Sequence, residues 1–304
     1  MTHLNYQEQL NILVKKGLVI TNEDYALNLI KNIGYFRLSS YLYPFGTSSS
    51  KKNDEKHSRG ITIETIGELV TFDSKLRKEL LAGLEIFELS FRAVLSYITG
   101  ISNTFIQYRT DFLHPNLSDI KYNKWKKKYD RDMAYASKFE YIKNFSNAYD
   151  KQLPIWMAVE YMQFGTLTFL YDILTDQHKT EISSYYNIPT RKLMNNSIES
   201  FRDIRNICAH HSRLWNSRSI SLIPKVKKDP FMKEELLHLD YVDLNKIYRS
   251  LVFLIYIVEK IDPDTHFKTK IRNLICSFPN SINHLVFSEM GFPVNWIELD
   301  FWQE

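Results

Sequence analysis

Between Ile63 and about Ile101, apolar residues return every three or four positions: Leu69, Phe72, Leu76, Leu80, Leu84, Phe87, Phe91 and Leu95. That is one continuous stripe on an α-helix, and no other stretch of the chain is as strongly periodic. A helix this long with a single apolar seam has to be covered by other helices. The rest of the sequence supplies them. Nine glycines and nine prolines in 304 residues are few, and long stretches run without either. No βαβ alternation and no internal repeat is visible, so the expected fold class is all-α, a helical bundle.

The other elements follow from stripes and stop signals. Leu10, Leu13 and Val14, with Tyr6 a turn earlier, predict a first helix that stops at Gly17. In Thr21-Asn22-Glu23-Asp24, Thr21 is expected to cap a second helix, with Asp24 at its third position, before Ala26, Leu27 and Ile30. A third begins after Gly34. Residues 46–60, with no apolar residue after Gly46 until Ile61, predict a solvated loop. Residues 114–152 are more polar and basic. Leu153-Pro154-Ile155-Trp156-Met157 opens another apolar helix, ending near Phe164-Gly165. Further helices are expected at 166–175, 177–186, 190–214 and 241–261. The expected organisation is a small N-terminal helical module (1–45), a loop (46–60) and a helical core (61–273) with a basic insertion (114–152). A tail (274–304) closes with aromatic residues that dock on the bundle.

Hydrophobic residues at 44% and aromatics at 14% suffice for a large core and exclude a disordered chain. A net charge of +4 is too mild to argue for a nucleic-acid partner, so local distribution has to carry that case. Cys208 and Cys276 lack metal-ligand spacing and read as reduced thiols among apolar neighbours. Neither a metal nor a cofactor is expected. The polar start Thr2-His3-Leu4-Asn5 has no signal-peptide core, and the most apolar run, Leu251 to Val258, falls short of the ~20 residues of a membrane span. A cytoplasmic protein with no membrane partner is the expectation.

Residues 202–216, RDIRNICAHHSRLWN, concentrate the chemistry. Arginine clamps phosphate through paired hydrogen bonds, and histidine carries a proton near neutral pH. On a helical wheel at ~100° per residue, Ile204, Ile207, Cys208, Leu214 and Trp215 share one face, which must be core. Arg202, Asn206, His210 and Arg213 form the opposite stripe. His211 falls toward the apolar side and is expected to pack, in a supporting rather than chemical role. Arg205 lies ~140° from His210, so the two do not meet by local geometry, and a second helix or a second subunit would have to close the site between them. Asp203 reads as a lone acid pairing with a nearby arginine. Taken by itself, the spacing also fits a polar helix face. The chain contains a decoy of the same spacing, Arg109 to His114, which reads as structural.

Arg205-Asn206-x-x-x-His210 resembles the signature of HEPN ribonucleases, helical domains of toxins and RNA-targeting effectors. The chain is similar more specifically to the Abi-D/Abi-F-like abortive-infection family of bacterial phage-defence proteins. The resemblance rests on Gly34-Tyr35-Phe36-Arg37-Leu38-Ser39 through Tyr41-Leu42-Tyr43-Pro44-Phe45 and on Phe72-Asp73 with Leu76-Arg77. It continues in Leu153-Pro154-Ile155-Trp156 through Phe164-Gly165-Thr166-Leu167, in 205–216, and in Met290-Gly291-Phe292-Pro293 with Asn295-Trp296. It implies a HEPN-type bundle and a metal-independent endoribonuclease working as a homodimer. In that reading His210 is the general base or acid, Arg205 neutralises the phosphorane, and Asn206 orients His210 or a phosphate oxygen; Arg202, His211 and Arg213 support them. A small partner RNA as inhibitor or scaffold is also implied. Two alternatives share the fold: an RNA-binding module that cuts nothing, and a protein-interacting defence component.

RNA contacts are expected on 121–131, KYNKWKKKYDR, where six basic residues against Asp130 leave +5. Lys121, Lys124, Lys126, Lys127, Lys128 and Arg131 would meet phosphates, and Trp125 would stack on bases. The competing reading is a solvated helix whose aromatics, Tyr122, Trp125 and Tyr129, turn inward at helical spacing. Lys225, Lys227 and Lys228 form a weaker cluster. Arg37 reads as a structural partner for an acid. A helix-turn-helix at the N-terminus is disfavoured, because the would-be recognition helix carries Glu23 and Asp24 with Lys31 as its only base.

Overall fold

One 40-residue helix, α4 (Ile63–Ser102), forms the spine of the protein in a computed structural model that describes residues 3–45, 60–148, 152–218, 221–226, 234–279 and 289–303. At 1.5 Å per residue it is about 60 Å long. Its whole expected stripe, from Leu69 to Leu95, is buried. Before it come α1 (Tyr6–Lys15), α2 (Glu23–Ile33) and α3 (Tyr35–Leu42). After it come α5 (Asp119–Ala136), α6 (Glu140–Ala148), α7 (Ile155–Tyr161), α8 (Phe164–Ile173), α9 (Asp176–Tyr185) and α10 (Arg191–Ala209), then α11 (Tyr248–Ile261) and α12 (Phe267–Cys276). The fold is all-α: among the described residues only isolated β-bridges occur.

Seven of these helices, α3, α7, α8, α9, α10, α11 and α12, pack directly on α4. Residues Tyr248 to Val258 of α11 are all buried, as suits a helix that is apolar all round and lies at the centre. Here the apolar run is core, and no described helix is long and apolar enough to cross a membrane. Between α10 and α11, the Ser200 and Ser250 hydroxyls meet at 2.6 Å, so the polar atoms buried there satisfy each other. In the tail, Phe292, Trp296, Phe301 and Trp302 are buried, and the Trp302 indole donates to the Tyr248 hydroxyl at 3.0 Å.

Local chemistry sets the ends. Asn5 and Glu8 form a reciprocal capping box on α1. The second helix differs from expectation: Asn22, not Thr21, accepts the Tyr25 amide at 2.9 Å. Thr21 donates instead to Glu64 at the start of α4, tying the N-terminal helices to the spine. The helix expected at 241–261 starts later, at Tyr248. Asp243 takes the amide of Asn245 at 2.9 Å, a local turn that competes with helix, and Glu234–Tyr241 is a 3-10 stretch. The loop expected over 46–60 lies, apart from Gly60, outside the described residues.

Gly83 marks a close approach to α4 by another helix. A Cβ placed there would come within 2.3 Å of Cζ in the Phe267 ring at the start of α12. Gly83→Ala gains helix propensity worth about 1 kcal/mol but overpacks this contact by about 1–3 kcal/mol. The expected result in chemical denaturation is a net loss of up to about 2 kcal/mol, reversed when Phe267→Leu is added to make room.

Candidate functional site

Helix α10 starts at a Thr190 cap, whose hydroxyl accepts the Leu193 amide at 3.1 Å. It buries Ile198, Phe201, Ile204 and Cys208. Asn206 and His210 are exposed on its outer side, one turn apart, and the His210 amide donates to the Asn206 carbonyl at 3.0 Å. The helix does not reach 214 as expected. It ends at Ala209, because Ser212 N–H donates to the Ile207 carbonyl at 2.9 Å and His211 N–H to that of Cys208 at 3.0 Å. With His211 at φ 56°, this is a Schellman turn closed by a histidine where glycine is usual.

The turn invalidates the wheel beyond residue 209 and reverses two expectations. His211 does not pack against the core; it is exposed. Arg213 leaves the exposed stripe, folds back and donates to the Ser40 carbonyl in α3. Burial lowers its pKa. Arg202 remains on the outer side of α10 and pairs with Asp203 at 3.2 Å; Asp203 also accepts from Ser221 at 2.7 Å.

What holds the chain beyond the turn is Asp73, fully buried in α4. Its carboxylate accepts the Trp215 amide at 2.7 Å, the Leu214 amide at 3.2 Å, the Tyr41 hydroxyl at 2.5 Å and the Arg77 guanidinium. The Trp215 ring lies nearly parallel to Tyr41 and Phe45, with centroids 6.4 and 6.0 Å away. Burial, reinforced by the Asp73 charge, pushes the Tyr41 hydroxyl well above its ordinary range. The same two causes push the Cys208 thiol up to about 12. Cys208 is therefore an inert thiol of the core.

Arg205 turns the other way, toward α4. Its Nε lies 3.8 Å from Glu88, and 39% of its side chain is exposed. Glu88 is more closely engaged by Arg92 at 2.5 Å, and Arg92 is itself buried and donates to the Val159 and Met162 carbonyls at the end of α7. A pocket of about 440 Å³ opens here, lined among others by Glu88, Arg92, Arg131, Tyr135, Gln163 and Arg205. On its far wall Asp132 accepts the Gln163 amide at 2.9 Å, which fixes the break between α7 and α8. Arg205 and Arg131, which are 74 positions apart, thus share one concavity. His210 is not among its lining residues.

The basic segment forms α5. Trp125 does not offer itself to bases: it is fully buried, donates to the Thr166 carbonyl at 3.3 Å and stacks on buried Tyr129 at 5.1 Å. The aromatics at helical spacing are the inner face of the helix. Lys121 pairs with Asp172 at 2.7 Å and Lys126 with Asp130. Lys124, Lys127, Lys128 and Arg131 stay exposed. In the weaker cluster Lys225 is exposed, while Lys227 and Lys228 lie outside the described residues. In the decoy, Arg109 pairs with Asp111 at 2.8 Å, and His114 accepts the Asn116 amide at 3.1 Å.

Sequence reasoning missed Glu88, Arg92, Tyr135 and Gln163. The available signal was an acid and a base at i, i+4 inside an otherwise apolar helix.

The profile of one protein family, described as Abi-like protein, matches residues 28–216. That span starts within α2 and ends just past Trp215, so it takes in Asp73, the Arg205 pocket and the whole end of α10. No curated protein and no solved structure matches the chain.

Asp73→Ala strands the buried Arg77 and two amides, so a loss of about 3–5 kcal/mol is expected by denaturant titration, with a change in Trp215 emission. The turn at His211 gives a second expectation. A β-branched side chain is strained at positive φ, so His211→Val should be less stable than His211→Gly by about 1–2 kcal/mol in the same titration.

Proposed function

Because the chain belongs to the Abi-like family, we propose that it is a HEPN-type endoribonuclease of abortive infection, acting on RNA without a metal. Membership supports the broader role in phage defence. The chemistry rests on one observation: Asn206 and His210 stand exposed one turn apart where α10 ends, while Arg205 reaches into an arginine-lined pocket on the α4 side of the same helix.

The reaction is transesterification. His210 takes the proton of a ribose 2′-hydroxyl, and the 2′-oxygen forms a bond to the adjacent phosphorus. The bond from phosphorus to the 5′-oxygen breaks. A protonated imidazole, the same one or its copy in a facing subunit, returns the proton to that oxygen. The products are a 2′,3′-cyclic phosphate and a 5′-hydroxyl. Arg205 stabilises the charge that gathers on the phosphorane oxygens, and Asn206 orients His210 or a phosphate oxygen. The obligatory 2′-hydroxyl selects RNA over DNA. Arg202 serves as a supporting cation beside Asn206.

The divergence of Arg205 and His210 favours a homodimer, with the arginine of one copy working beside the histidine of the other. An exposed apolar stripe on α4, formed by Leu89, Tyr97 and Ile101, begins next to the Arg205 hollow and offers a face for that second copy. A small partner RNA as restraint belongs to the same reading.

The test uses labelled RNA in EDTA. The parent should leave 2′,3′-cyclic ends, and His210→Ala and Arg205→Ala should each lose at least about 100-fold in rate with the fold intact. Mixing the two variants should restore about a quarter of the activity, because half the dimers would be mixed and carry one complete site. If both variants cut like the parent, the nuclease reading is wrong. Retained RNA binding by a parent that never cuts would favour the non-cleaving module.

A further inference from the structure

The exposed basic residues of α5 fall on one line. Lys124, Lys127, Lys128 and Arg131 are spaced three, one and three apart, and Tyr135 follows one turn later, so all five share a face of the helix about 16 Å long. These side chains are available to a ligand. Lys124 and Lys127 have no ion-pair partner among the described residues, whereas Lys121 and Lys126 are held by Asp172 and Asp130. Lys128 lies over the Phe169 ring at 5.9 Å, a contact that leaves its charge unneutralised.

The line ends in the Arg205 pocket. Arg131 and Tyr135 belong to both the helix face and the pocket lining, so the two surfaces are continuous. The pocket's acids are already engaged: Glu88 by Arg92, and Asp132 by the Gln163 amide. Arg131 is held by long contacts, 3.5 Å to Asp132 and 3.3 Å to the Gln163 amide oxygen, and Arg205 lies 3.8 Å from Glu88, so both guanidiniums keep donors for an incoming anion. Beside them stands a group of rings. Tyr135 is 59% exposed and Phe139 45%, set edge to face at 5.6 Å, and Phe139 reaches Tyr161 at 5.7 Å. Lys138 lies over the Tyr135 ring at 5.6 Å, a further cation at the pocket mouth. Exposed rings beside a row of cations fit the phosphates and unpaired bases of a single strand; a duplex keeps its bases stacked inside and offers none.

We propose that the outer face of α5, Lys124-Lys127-Lys128-Arg131 with Tyr135, is a track that feeds single-stranded RNA into the Arg205 pocket. It rests on the nuclease reading for what happens at the end of the track, but not for binding. The lysines hold successive phosphates. Tyr135 stacks a base at the pocket mouth, the role that buried Trp125 cannot fill. Arg131 hands the next phosphate to Arg205.

The test is fluorescence anisotropy with a labelled single-stranded RNA, 2′-O-methylated so that it cannot be cut, against the same sequence as a duplex, over a salt series. Single strands should bind more tightly than the duplex. The triple variant Lys124→Ala/Lys127→Ala/Lys128→Ala should lower the salt slope by about 2, from roughly 0.7 per lost phosphate contact. Tyr135→Ala should weaken binding about 5- to 100-fold, and Tyr135→Phe should keep it. An unchanged salt slope in the triple variant overturns the track. So does a duplex that binds as tightly as the single strand while Tyr135→Ala is silent. Tight binding of polyglutamate that ignores Tyr135→Ala would reassign the face to an acidic protein partner and equally overturn it. Cleavage of unmodified RNA separates the two readings. If the parent cuts and the triple variant binds and cuts like it, the track falls and the nuclease stands. If the triple variant loses binding while the parent cuts nothing, the nuclease falls and the track stands.

Discussion

A single carboxylate, that of Asp73, sets the position of everything around the end of α10. A fully buried charge costs several kcal/mol unless donors surround it, and Asp73 has four: a hydroxyl from α3, a guanidinium from its own helix, and two backbone amides from beyond α10. Those donors come from three separate parts of the chain, so the arrangement that satisfies the charge is also the one that brings those parts together. The Trp215 ring, stacked on both Tyr41 and Phe45, packs beside the same contact. The Schellman turn at His211 and the seating of Arg213 on Ser40 lie in the same short segment as the two amides that Asp73 holds.

Period and punctuation made most of the helices readable. The seam of α4 is buried as its spacing predicts, and the apolar run of α11 is core. What could not be read depends on contacts distant in sequence. Nothing local announces a helix stop at 209, because the residue that takes the left-handed turn is a histidine rather than a glycine. Extending the wheel through it exchanged the environments of His211 and Arg213. Trp125 is a similar case: its spacing suits an inner face as well as an outer one, and the packing of α5 on α7 and α8, with the Thr166 carbonyl taking the indole N–H, decides between them. The blocks Phe72-Asp73 and Arg213-Leu214-Trp215 stood apart as family resemblances, yet they are two halves of one contact.

The motif itself separates into two surfaces. Asn206 and His210 face solvent where α10 ends, and Arg205 faces α4 and shares a pocket with Arg131. The wheel angle between residues 205 and 210 already implied this divergence. What the angle could not supply is the content of the second surface: Glu88 occupied by Arg92, and Arg205 held only at 3.8 Å from that acid. A long, shared ion pair of this kind leaves the guanidinium more open to an anion than a close bidentate pair would.

The distance along the chain between Asp73 and its amides also has a temporal side. The carboxylate and the amides it holds are 141 and 142 positions apart. At about 5–20 residues per second, roughly 7–30 s of synthesis separates them. Through that interval α4 can form and gather its early neighbours, but the segment that follows α10 does not yet exist to be anchored. The end of α10 is therefore fixed later than the first contacts of α4, and it waits on residues 214 and 215 being made.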